Sequence, residues 1–108
     1  MTARYVLTLR ARQDLAEIAG YLAAESGPVA AEYVIEKLRE AFRFLAEQPG
    51  VGHLREDLTG EIGVRFWVVF SFLIAYVHDK QPLGILTIVH GSRDPVEIKR
   101  HLRQARKP

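Results

Sequence analysis

The sequence predicts an α+β domain in the order β-α-α-β-β-β-α. A helical hairpin packs on one face of a mainly antiparallel four-stranded sheet, and a C-terminal helix follows. Three observations carry this. The apolar period changes once, near residue 12, from two to about 3.6, and stays helical until Pro49-Gly50. The strand-like segments are grouped after the helices instead of alternating with them, the mark of α+β and not of a parallel α/β fold. No repeat, low-complexity tract or Gly/Ser linker divides the 108 residues, so residues 1–108 are read as one domain with a single core.

Each element follows from local pattern. Tyr5, Leu7 and Leu9 alternate with Val6 and Thr8 as a first strand. From about Arg12, Leu15, Ile18 and Leu22 form a helical stripe, with Asp14, Glu17 and Glu25 off it. Ser26-Gly27-Pro28 ends that helix and opens the next, Pro being tolerated at a first helical position. Val34, Leu38, Ala41, Phe42 and Leu45 mark the second helix, and so short a turn predicts an antiparallel hairpin. Residues 50–63 contain four glycines and several charges and read as a long loop. Val64–Phe70, Phe72–His78 and Ile85–His90 are rich in β-branched and aromatic residues, with a turn at Asp79–Gly84. Asp94-Pro95-Val96-Glu97 is a helix start, with an acidic cap and Pro at the first position. Ile98, Leu102 and Ala105 then share one side of that helix, and Lys99, Arg103 and Arg106 another.

Composition excludes several classes. With 48% hydrophobic residues and a net charge of +2, the chain is not a disordered coil. No cysteine is present, which removes disulfide frameworks, thiolate metal sites and cysteine nucleophiles together. The longest apolar stretch, Phe66 to Val77, is 12 residues broken by Ser71. A bilayer span needs about 20, so no membrane association is expected. Met1–Tyr5 shows no apolar signal segment, and a cytoplasmic protein is expected. His53, His78, His90 and His101 lack metal-ligand spacing, and no phosphate-cradling glycine loop precedes a helix, so neither metal nor cofactor is expected.

Charge is uneven. Residues 1–89 hold nine Lys/Arg against eleven Asp/Glu, whereas residues 90–108 hold six against two. The basic tail fits an acidic partner, phosphate or protein, or simply a solvated end that complements a helix dipole. Arg65 begins one strand, while His90 and Arg93 end another. Were those strands antiparallel neighbours, two guanidiniums and an imidazole would share one surface, a set suited to a phosphodiester. The alternative is a pair of surface salt bridges, Arg65 with Glu61 and Arg93 with Asp94. Trp67, Phe66, Phe70, Phe72 and Tyr76 read mostly as core. If the hairpin covers only one face of the sheet, the apolar second strand requires a protein partner on the other.

Several strings, taken in order, resemble the RelE/ParE toxin superfamily, and its ParE branch in particular. They are Tyr5–Leu9 with Ala11, Asp14–Ile18, Phe44–Gly52, Arg65, Phe72–Tyr76 and Ile88–Asp94. The resemblance implies the toxin of a type II toxin–antitoxin system that traps DNA gyrase and blocks replication. It also implies neutralisation by a cognate ParD-like antitoxin whose ribbon-helix-helix half binds operator DNA, so the toxin meets that DNA only indirectly. On this reading Arg65, His90, Arg93, Lys99, Arg100 and Arg103 meet the target, and Leu22, Tyr33 and Trp67 meet the antitoxin. RelE-like relatives instead cleave mRNA on the ribosome, often with a tyrosine after the last strand. Here Gly91 follows His90 and no tyrosine occurs beyond residue 76, so a nuclease would have only Arg65, His90 and Arg93. A third alternative is a target-inactive module that only binds its antitoxin.

Overall fold

The computed structural model describes residues 4–61, 63–79 and 81–106. Met1–Ala3 of the N-terminal reading, Ile62 of the loop, Lys80 of the predicted turn and the last two residues of the basic tail lie outside that set. The elements are β1 (Tyr5–Leu7), α1 (Leu9–Ser26), α2 (Pro28–Glu47), a 3-10 turn (Pro49–Val51), β2 (Val64–Val69), β3 (Phe72–Val77), β4 (Leu83–His90) and α3 (Pro95–Arg106). The predicted order β-α-α-β-β-β-α is the observed one. No helix among the described residues is long and apolar enough to cross a membrane.

Two boundaries move, each for a local reason. The first strand stops at Leu7 because Thr8 caps α1, its hydroxyl accepting the Ala11 N–H at 3.0 Å. Leu9, which the alternation assigned to the strand, is instead an exposed residue in the first turn of that helix. β4 begins at Leu83 and not Ile85, since Leu83 already pairs with Tyr5.

The sheet order is β1-β4-β3-β2. The β2–β3 and β3–β4 pairings are antiparallel, and β1 lies parallel to β4, so the sheet is mixed. Within the β3–β4 ladder, Ala75 faces Thr87 while Tyr76 faces Ile85, leaving Leu86 as the extra residue of a bulge. The bulge reverses the side-chain alternation of β4. Leu83 and Ile85 before it and Ile88 after it all join the hairpin-side core.

That core packs Leu15, Leu38, Phe42 and Leu45 of the hairpin on Ile74, Tyr76, Ile85 and Ile88. On the opposite face, Ile98 and Leu102 of α3 and Leu58 of the long loop cover Val64, Phe66, Leu73, Ala75, Leu86 and Val89. Much of the face expected to be bare is therefore covered by the chain's own C-terminal helix, while Val68 of β2 on that face stays exposed. The Ile98/Leu102 stripe is worth about 1.5–3 kcal/mol per fully buried side chain and needs a sheet to bury against.

β1 is too short to cover the whole edge of β4, and the start of α1 completes the task. The Thr8 hydroxyl donates to the Leu86 carbonyl at 2.7 Å, and the Asp14 carboxylate accepts the Ile88 N–H at 3.0 Å. Backbone groups on an uncovered edge need partners, and here two side chains supply them.

Candidate functional site

The end of β4 and the start of α3 form a continuous polar surface. The backbone N–H and hydroxyl of Ser92 both approach His90 Nδ1, at 3.1 and 2.6 Å. An N–H donor requires a lone pair on Nδ1, so in the neutral ring the proton sits on Nε2. Asp94 caps α3 as its sequence position requires, accepting the Val96 N–H at 2.8 Å. Arg93 donates to Glu97 at 3.1 Å, and Arg100 takes the other oxygen of the same carboxylate. The two guanidiniums, Arg100 foremost, hold the Glu97 carboxyl below the usual carboxylate range. The salt bridge expected between Arg93 and Asp94 is therefore replaced by one with Glu97, one helical turn on. Lys99 and Arg103 are exposed and have no carboxylate within salt-bridge distance among the described residues.

A cleft of about 480 Å³ lies between this surface and α1, lined among others by Glu17, Tyr21, His90, Ser92, Arg93 and His101. At its floor sits Asp14, 2% exposed. Besides Ile88 N–H it accepts from the Thr87 hydroxyl and from Arg10 Nε at 3.0 Å, which offsets the cost of burying a charge. His101 Nδ1 lies 3.6 Å from Asp14, is buried, and has no hydrogen-bond partner. Burial pushes the His101 imidazole below its ordinary value, with the Asp14 charge opposing.

Arg65 is elsewhere. It pairs with Tyr76 across the β2–β3 ladder, whereas His90 pairs with Phe72 on the other side of β3. The two thus stand four positions apart along β3, about 13 Å, with β3 between them. Because β3 intervenes, β2 and β4 run in the same direction, and the start of one meets the start of the other. The shared cationic surface required these strands to be antiparallel neighbours; they are not, and the three-residue set of Arg65, His90 and Arg93 is not assembled. Nor does Arg65 bridge to Glu61, which pairs with Arg106 at 2.9 Å. Arg65 is half-buried and donates to the Gly52 carbonyl at 2.9 Å and to His78 Nε2 at 3.2 Å. The Tyr76 hydroxyl completes this cluster, accepting from Gly52 N–H at 2.9 Å and donating to the Pro49 carbonyl at 2.7 Å. Desolvation raises the Tyr76 pKa. A side chain at Gly52 would collide with that phenol ring, which explains the glycine.

An aromatic strip runs along the β2 edge. Trp67 is half-buried, with Phe44 at 5.6 Å and a stacked His53 at 6.3 Å between centroids. Tyr33 of α2 lies 6.3 Å from Phe70 in the β2–β3 turn. Both are exposed, at 57% and 56%. Phe70 has φ 55°, a left-handed conformation that a phenylalanine rarely takes. The His53–Phe66 bridge occupies the outward backbone groups of Phe66 and leaves exposed Val68 as the next outward-facing position. Leu22 is half-buried on α1, one turn beyond Ile18 of the cleft. Of the predicted antitoxin residues, Tyr33 and Trp67 belong to the strip.

Sequence reasoning missed Asp14 and Gly52. Asp14 was placed off the apolar stripe, yet it stands three residues after Ala11 and four before Ile18, on the same face as both. That spacing was the available signal.

A mixed sheet between a helical hairpin and a cationic helix, with an aromatic strip on one edge, defines a small α+β fold. The chain belongs to the ParE toxin family of type II toxin–antitoxin systems, parDE: the family model matches residues 5–95. Among solved structures, the fold is similar to one described as the chromosomal ParDE TA system from P. aeruginosa. The TM-score is 0.69 at 21% identity, covering 82% of this chain and 96% of that one. No curated protein matches the chain.

Proposed function

We propose that this chain is a growth-inhibiting toxin that acts on DNA gyrase and is held inactive by a cognate ParD-like, ribbon-helix-helix antitoxin. Family membership supports the toxin–antitoxin class. For the working surface, one observation carries the reading: α3 buries Ile98 and Leu102 against the sheet and turns Lys99, Arg100 and Arg103 to solvent. A helix pinned by its apolar stripe presents a rigid row of cations, the arrangement that meets an acidic or phosphate-bearing target with little ordering cost. His90 and Arg93 extend that row; Arg65 does not. The aromatic strip of Tyr33, Phe44, Trp67 and Phe70 fits the antitoxin, since exposed aromatics clustered on one edge favour a protein over a solvated face.

The test is a supercoiling assay with purified gyrase. The full chain should inhibit supercoiling or accumulate cleaved DNA, and the Lys99→Ala/Arg103→Ala double variant should need at least about tenfold more protein, the loss of two charge contacts. Deleting residues 94–108 is the poorer control, because it strips Ile98 and Leu102 from the core. Inactivity of the full chain at large molar excess overturns the gyrase reading. Codon-phased mRNA cleavage in its place would point to the ribosomal alternative.

A further inference from the structure

The cationic face of α3 meets acidic groups of its own chain at its C-terminal end. Between α2 and β2, Leu58 is 1% exposed and packs in the same cluster as Ile98 and Leu102, which ties the loop to the foot of α3. From that anchor the loop brings two carboxylates, Glu56 and Glu61, beside the helix, with Asp57 held by Arg55. Glu61 pairs with Arg106 at 2.9 Å. Glu56 and Glu61 line, with Lys99 and Arg103, a groove of about 300 Å³ between loop and helix. Asp57 is held mainly by Arg55, at 2.8 and 2.9 Å, and the Lys99 charge lowers its pKa further.

We infer that residues 55–61 are an intramolecular competitor for the cationic face of α3, so that an acidic polypeptide segment of the target must displace these carboxylates to bind. The inference rests on the reading of α3 as the target surface. Carboxylate is the chemistry that the face accepts within its own chain, which favours an acidic protein segment over a nucleic acid as the competing ligand. The loop–helix pair is exposed at both ends, with Arg106 and Glu61 at 41% and 45%, so it exchanges readily and is screened by salt. Such a contact sets a threshold for binding without blocking it.

The probe is a fluorescein-labelled poly-L-glutamate of defined length, titrated into the full chain and into the Glu56→Gln/Glu61→Gln variant. The variant should bind about fivefold more tightly at low ionic strength, within the range of an exposed ion pair, and the difference should vanish at high salt. Lys99 should also acylate faster with a water-soluble active ester. Because carboxamides at exposed positions preserve shape, misfolding is not the expected complication. Arg106→Gln opens the same contact from the helix side and should speed Lys99 acylation as well. Unchanged affinity together with unchanged acylation in both variants overturns the inference. Tighter binding of a DNA duplex but not of poly-glutamate overturns the assignment of the competing ligand. Tighter poly-glutamate binding with unaltered gyrase inhibition upholds the screening contact and overturns α3 as the target surface.

Discussion

Arg65 and Arg93 carry the same guanidinium at opposite ends of one sheet, and their surroundings differ in kind. Arg65 is half-buried and spends its donors on the Gly52 carbonyl and the His78 ring, beside a phenol that holds the same short segment. Arg93 is exposed and shares one carboxylate, Glu97, with Arg100. A cation that closes on backbone acceptors fastens one part of the chain to another. A cation that divides a counter-charge with a neighbour keeps net charge for a partner. Residue type does not separate these roles; the acceptors do.

Truncating each arginine is the strongest way to break that distinction. Arg65→Ala should cost about 2 kcal/mol, the loss of charge-assisted hydrogen bonds from a partly buried group. Arg93→Ala should stay within about 0.5 kcal/mol, as exposed substitutions do. Urea unfolding measures both. Gyrase inhibition by the folded variants should fall for Arg93→Ala alone. Equal destabilisation, or equal loss of inhibition, would erase the contrast between the two ends.

The aromatic strip sharpens the same contrast from the apolar side. Phe70 has a conformation that costs an L-residue about 1 kcal/mol, with a ring left mostly in solvent. The two-residue hairpin turn requires a positive φ, so the turn explains the backbone, and the choice of phenylalanine there is what a partner contact would explain. Phe70→Gly should therefore leave the fold unchanged or stabilise it by about 1 kcal/mol, while antitoxin affinity drops about tenfold, as for an aromatic anchor. Thermal unfolding and titration with the cognate antitoxin read the two effects separately. Destabilisation with unaltered affinity would make Phe70 a packing residue after all.

Element order, the hairpin break at Gly27-Pro28 and the Asp94 cap of α3 were legible because each depends on residues close together in the chain. Strand order was not, since apolar segments such as Val64–Val69 and Leu83–His90 do not state which of them is central. That gap produced the misplaced Arg65: its partners, Gly52 and His78, are each 13 positions away. The aromatic strip was half legible. Trp67 stood out by type and Tyr33 was assigned to the antitoxin, but nothing local distinguishes exposed Phe70 from buried Phe66, which sits four residues earlier in a similar setting. Asp14 failed for another reason, because a carboxylate on a helix is ordinarily solvated and only the short β1 leaves a β4 edge for it to serve.

The smallest expected effect concerns the seat of α3. His101 faces Asp14 and Arg10 of α1 and lies near Arg93 and Glu97 at the start of its own helix region. Burial dominates and lowers its folded pKa below the ordinary 6.5. The unfolded chain then binds the proton more readily. The stability that the neutral ring contributes is complete above about pH 6.5 and is lost as pH falls through the folded value. The difference in unfolding free energy between the wild type and His101→Gln should thus change by less than about 1 kcal/mol between pH 7 and 5, the wild type losing more on acidification. Taking the difference cancels the other three histidines. Were the Asp14 attraction to outweigh burial, the slope would reverse, and α3 would be held more firmly in acid.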